Sequence, residues 1–187
     1  RRESEGRRYG GEEGRGPDRD ARGSGGRPPR RPHRPPPQRD RDALRAALHD
    51  GTIDALVSDH TPVSEDEKTL PFAEAEPGAS GLELLLSLAL KWGEQSNLPL
   101  VRALVCVTSA PVRVLGPALG SLAASAGRLV VGGVADLCVF DAGAHWRVEP
   151  SQWRSQGRHT PFAGYEMPGR VRWTVVGGQI AHQASPA

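Results

Sequence analysis

The sequence predicts an α/β segment over residues 39–125, followed by a small β unit over 126–187, with residues 1–38 as a disordered head. Three observations predict it. A helix-like stretch runs straight into a nearly continuous apolar strand, which is the pattern of a parallel strand covered on both faces. After Ser125 the texture shifts to short β-branched runs separated by Gly or Asp. The first forty residues hold twelve Arg, seven acids, eight Gly and seven Pro, but no Val, Ile, Leu, Met, Phe or Trp. Such a stretch has nothing to bury and cannot offset the entropy of ordering its backbone.

The elements follow in order. "DRDALRAALHDG" sets Leu44 and Leu48 on one face, with Asp40 or Asp42 to cap the start and Gly51 to stop the helix. "TIDALVS", residues 52–58, reads as a buried strand. Residues 60–78 are rich in charge and turn formers and read as a long irregular loop. "SGLELLLSLALKWG" is the next helix, with Ser80 and Glu83 at capping-box spacing and Gly93 at its end. "LPLVRALVCVTSAPVRVLG" gives two shorter helices, with Pro99 and Pro111 near their starts and Gly116 as the stop. "GRLVVGGVADLCVFD", "HWRVEP" and "GRVRWTVVGGQIAHQ" read as strands and turns.

Charge and composition exclude several classes of function. The formal net charge of +2 comes from the head, because residues 41–187 carry twelve basic and fifteen acidic residues. The head's acids are interspersed and only Tyr9 is available to stack on a base, so nucleic acid is not the expected partner. No apolar run reaches the roughly 18 residues of a membrane span, and the head lacks a secretory apolar segment. Cys106 and Cys138 lie in apolar runs and read as buried thiols of a reducing compartment. The expected location is the cytoplasm. The chain starts at Arg1 and its composition breaks near residue 38, which reads as a fragment with an unnatural lead-in such as an out-of-frame translation.

The candidate chemistry sits at "SDHTP". Asp59 ends the predicted strand and opens the long loop, the place where functional side chains gather in (β/α) barrels. Periodicity alone favours a plainer role, with Asp59 capping a turn and His60 solvated in the loop. His145 and His159 read as isolated surface imidazoles. The cysteines have no basic neighbours to activate them, and "GGVAD" and "VVGG" are turn glycines rather than a phosphate loop. Trp92, Trp146, Trp153 and Trp173 are too dispersed for a stacking platform.

Four stretches in a fixed order carry a family likeness: "DGTIDALVSDHTPVSEDEK", "PFAEAEPGASGLELLLSLAL", "GRLVVGGVADLCVFD" and "GRHTPFAGYEMPGRVRWTVVGGQI". From about Arg39 to Gln183 the chain resembles the C-terminal part of dihydroorotase, of the amidohydrolase superfamily. The resemblance implies the C-terminal piece of a (β/α)8 barrel, with "TIDALVS" as its eighth strand and residues 126–183 as strands of a small β-sandwich. It implies two zinc ions per complete barrel, which this chain alone does not bind. Asp59 corresponds to the aspartate that contacts a zinc and shuttles the proton, and Pro77 and Gly78 to loop positions whose backbone touches substrate. The implied reaction interconverts dihydroorotate and N-carbamoyl-L-aspartate.

The departures are specific. Where the family carries Asp-His-Ala-Pro-His, this chain has Thr61 for the Ala and Val63 for the last His, and Val63 cannot donate to a substrate carboxylate. No counterpart of the His-x-His, the bridging lysine or the later metal histidines is present. Two alternatives therefore stand beside a catalytic dihydroorotase. One is a non-catalytic dihydroorotase-like partner of aspartate transcarbamoylase. The other is a related cyclic amidohydrolase: hydantoinase, dihydropyrimidinase or allantoinase. Limited trypsin digestion is expected to remove the arginine-rich head before residues 39–187 are cut; a head that survives digestion would contradict its reading as disordered.

Overall fold

The computed structural model describes residues 37–71 and 73–185; the predicted disordered head lies outside them, apart from Pro37 and Gln38. Helix α1, Gln38–Asp50, starts before either predicted aspartate cap, behind Pro37 and without a side-chain cap. Asp42 instead accepts from the Gln38 amide at 2.7 Å, one turn back. Gly51 closes the helix in a left-handed conformation, which the lack of a β-carbon permits without strain. Arg45 ties α1 to the helix labelled α3 below through Gln95, at 3.0 Å.

Residues 52–58 do not form the predicted buried strand. They bend at Thr52 and Ile53 and then run without regular secondary structure, with Val57 72% exposed. A parallel strand needs a neighbour brought alongside by a crossover, and the described residues supply none. The segment is held by isolated backbone bonds, Ile53 N to Ala47 O at 2.9 Å and Leu56 N to Cys106 O at 2.9 Å. The loop that follows is less irregular than predicted. It contains α2, Glu65–Thr69, opened by a capping box between Ser64 and Glu67.

A 3-10 turn, Leu82–Leu84, leads into α3, Leu85–Gln95. The helix continues past Gly93, whose missing side chain lets α4 approach: a β-carbon there would stand 2.8 Å from the Ala103 methyl. Helices α4, Leu100–Val105, and α5, Ser109–Leu115, occur where the two prolines placed them, with Gly116 ending α5. The 3-10 segment Gly116–Ala124 follows. By length and composition Leu100–Ala124 is apolar enough to cross a membrane. It is not one helix, however: Thr108, Gly116 and Gly120 all leave helical geometry, and a span requires uninterrupted backbone pairing.

The C-terminal part is a three-stranded antiparallel meander of β1 (Leu137–Arg147), β2 (Glu166–Val176) and β3 (Gln179–Gln183), in that order. "GRLVV" is not a strand; Leu129 stands exposed in irregular chain and Val131 in a turn. "HWR" is the end of β1 rather than a strand of its own. Gly177 and Gly178, both at positive φ, make the tight β2–β3 turn that right-handed strand twist favours. In β1 the Asp141 carboxylate accepts from Gly143 N and Ala144 N at 3.1 and 3.2 Å, where the register slips against β2. Arg172 across the ladder, at 3.3 Å, is the main cause holding the Asp141 carboxyl below the usual carboxylate range.

Helix α3 joins two small cores. Leu84 packs with Val148 and Met167, flanked by Leu88, Trp146, Trp153 and Phe162. Trp92 packs with Ala103 and Cys106, flanked by Leu48, Leu56 and Leu98. Cys106 is buried as predicted, whereas Cys138, near the start of β1, is exposed. A buried polar link fixes the sheet to α3: the Trp146 indole donates to Ser87 Oγ and Gly169 O, both at 3.1 Å, and Ser87 donates to Gly169 O at 3.2 Å. Leu84 is fully buried, so Leu84→Ala is expected to lower unfolding free energy by about 2–5 kcal/mol, measured by urea denaturation.

Candidate active site

The site forms where three segments meet: Ser58–Val63, Pro77–Glu83 and Ser155–Thr160. Asp59 has φ +43°, a left-handed conformation that Asp tolerates better than most residues. Its carbonyl accepts from Thr61 Oγ1 at 3.2 Å. Its carboxylate is exposed and takes no hydrogen bond among the described residues, so Asp59 does not cap a turn. Left-handed backbone beneath an exposed acid at the end of an apolar run is a pattern of functional sites.

His60 is not a solvated loop residue. Its Nδ1 accepts from Gly81 N at 3.2 Å and Leu82 N at 3.3 Å, and its Nε2 lies 3.4 Å from Ser155 Oγ. The next backbone amide, Thr61 N, donates to Ala79 O at 3.0 Å. The second segment therefore lies alongside the residues that follow Asp59.

Gly78 is buried in this contact: a β-carbon on it would be 2.5 Å from Thr61 O and 2.6 Å from Val63 Cγ2. Pro77, which precedes it, is half-buried. Val63 is buried against Gly78, so its side chain serves packing. An imidazole at that position would have to fit a space now filled by a smaller apolar group.

Ser80 and Glu83 do not form the predicted capping box; both turn to the third segment instead. Ser80, buried, donates through its hydroxyl to Gly157 O and through its amide to His159 O at 2.8 Å. Glu83 accepts from Ser155 N at 3.0 Å. Gly157 has no room for a side chain either, since its β-carbon would stand 2.8 Å from Pro62 Cα and 2.9 Å from Ser80 Oγ. The backbone of His159 thus belongs to the site, and burial, then Lys68, pushes its imidazole below the usual histidine range. His145 stays outside, exposed, against Gly143 O at 3.2 Å.

The capping box at Ser64 fixes the far side of the loop, and Lys68 Nζ donates to Glu76 O next to Pro77. That box was legible as Ser-x-x-Glu, and the sequence reading missed it. Among the described residues no three His, Cys, Asp or Glu side chains converge as metal ligands. One exposed carboxylate does not fit a zinc pair, which needs several donors per ion. What the arrangement offers by itself is a carboxylate on a rigid mount, able to accept and return a proton.

The family model for amidohydrolases matches residues 33–181. The chain belongs to the amidohydrolase family. A dihydroorotase of Citrifermentans bemidjiense is 40% identical over 145 residues, 78% of this chain and 32% of that protein. A dihydroorotase-like protein of Pseudomonas aeruginosa is 41% identical over 154 residues, 81% of this chain and 34% of that protein. The chain thus spans about a third of the length of these relatives. Among solved amidohydrolases, a D-hydantoinase (dihydropyrimidinase) from Thermus sp. superposes with a TM-score of 0.68 at 25% identity, over 78% of this chain and 31% of that one. An L-hydantoinase (dihydropyrimidinase) from Arthrobacter aurescens gives 0.64 at 30% identity, over 76% and 32%.

The three-segment crossing predicts a strict size limit at Gly157. Gly157→Ala is expected to displace Pro62 and destabilise the protein by about 1–3 kcal/mol, read from thermal or urea unfolding.

Proposed function

We propose that this chain is the C-terminal portion of a dihydroorotase, acting on the ring amide of dihydroorotate and, in reverse, on N-carbamoyl-L-aspartate. The observation that carries the proposal is Asp59: an exposed carboxylate in left-handed backbone at the end of an apolar run, anchored from behind by the crossing of three segments. The identity of about 40% to named dihydroorotases supports the substrate class. In this reading residues 52–58 are the eighth strand of the barrel and β1–β3 a share of a small β-sandwich.

Asp59 takes the proton of the attacking water and delivers it to the ring nitrogen that leaves. The opposite transfer serves ring closure. General acid–base work of this kind contributes about 10²–10⁴-fold. The buried crossing keeps the mount of the carboxylate rigid, so that little reorganisation is needed when the proton moves. The family resemblance assigns a backbone contact with the substrate to Pro77 and Gly78, of which Pro77 is half-buried and Gly78 is buried against Thr61 and Val63. The two zinc ions of the complete barrel would take Asp59 as one ligand, with the remaining ligands supplied from outside this chain.

A second reading is a non-catalytic dihydroorotase-like subunit that partners aspartate transcarbamoylase. Two observations favour it: relatives named dihydroorotase-like at 41% and 42% identity, and Val63, which is buried and cannot donate to a substrate carboxylate. In the complete protein, Asp59→Asn is expected to lower kcat by about 10²–10⁴-fold with the fold unchanged by circular dichroism. An Asn variant with wild-type turnover would remove Asp59 from catalysis. A wild-type protein without turnover that binds aspartate transcarbamoylase would establish the second reading.

A further inference from the structure

His60 engages both of its ring nitrogens, and the chemistry of the partners fixes its tautomer. Gly81 N and Leu82 N are donors only, at 3.2 and 3.3 Å, so Nδ1 presents its lone pair to them. The ring proton then resides on Nε2, which faces Ser155 Oγ at 3.4 Å. The two amides belong to the first turn ahead of α3, where backbone donors lack partners within the helix. The same turn presses on the peptide just before Asp59: a β-carbon on Gly81 would lie 2.9 Å from Ser58 O. Ser155 is itself held by Glu83 through its amide, at 3.0 Å. A single imidazole therefore bridges the Asp59 segment, the start of α3 and the third segment.

We propose that His60 is a positioning residue: its Nε2-protonated imidazole clamps the peptide after Asp59 to the start of α3 and thereby sets the left-handed geometry from which the Asp59 carboxylate works. The inference rests on the reading of Asp59 as the proton carrier. Asp59 sits between two fixed points, Ser58 against Gly81 and His60 against Gly81 and Leu82, while Thr61 Oγ1 holds the Asp59 carbonyl at 3.2 Å. Release of the clamp leaves the residue free to relax out of a region that costs energy for a side chain other than Gly.

Two variants separate this role from simple packing. His60→Asn places an amide oxygen near the Nδ1 position and keeps the acceptor for Gly81 N and Leu82 N. His60→Gln places its polar end near Nε2 and loses that acceptor. In the complete protein His60→Gln is expected to lower kcat by roughly 10²-fold with KM little changed, as misplacement of a reacting group by about 1 Å does, and His60→Asn to recover most of it. Equal turnover in wild type, Asn and Gln variants would overturn the positioning role.

A second arm needs no activity. Two-bond 15N–1H correlation spectra of the chain are expected to show His60 with an unprotonated Nδ1 and a protonated Nε2. The Gly81 and Leu82 amide resonances should move in His60→Gln and stay near wild type in His60→Asn. A proton on Nδ1, or unmoved amides in the Gln variant, would overturn the clamp. If the wild-type protein has no turnover, the proposed activity fails with it, and the tautomer and amide shifts decide the clamp on their own.

Discussion

Three backbone segments cross at Ser80 with no space between them, and the rest of the site depends on that crossing. Gly78 and Gly157 lack room for a β-carbon, Ser80 is buried with its amide and hydroxyl both donating across the junction, and Val63 packs against Gly78. Backbone this close must satisfy its own polar groups, because water cannot enter to do so. It does so through Thr61 N to Ala79 O and Ser80 N to His159 O. The result is a stiff base beneath Asp59, although Asp59 itself is exposed. A carboxylate that works by proton transfer gains from such a base, since its position is set before the substrate arrives.

Helix α3 carries this rigidity into the rest of the molecule. The 3-10 turn that leads into it belongs to the crossing through Gly81, Leu82 and Glu83. The middle of the helix binds the sheet through Ser87, Gly169 and Trp146, and its far end packs Trp92 against α4. The helical and β parts of the chain therefore share one core around Leu84, Val148 and Met167. The segment before Asp59 is the contrasting element. Its sequence is apolar on both faces, the pattern of a strand covered by layers on either side, yet Val57 is 72% exposed.

Much of the fold was legible in local sequence. The helices at α1, α3, α4 and α5 follow from apolar spacing and from Pro and Gly at their ends, and the β2–β3 hairpin follows from the Gly177–Gly178 pair. The errors have local causes too. Glycine weakens helices, which predicts a stop at Gly93, but close packing on Ala103 decides its place. Ser80 and Glu83 were read as a capping box because their spacing fits one, but partners in the third segment take both side chains.

The sequence by itself determined helices α1, α3, α4 and α5, the β2–β3 hairpin, the family, and the position of one acid at the end of an apolar run. Tertiary structure alone decided what surrounds that acid. His60 meets Gly81 across 21 residues and Ser155 across 95, and Ser80 meets Gly157 across 77. No periodicity or propensity encodes contacts at such separations, because each side chain's local spacing is compatible with a solvated loop. The partners become apparent only when the chain has folded and the unpaired amides ahead of α3 face the imidazole that follows Asp59.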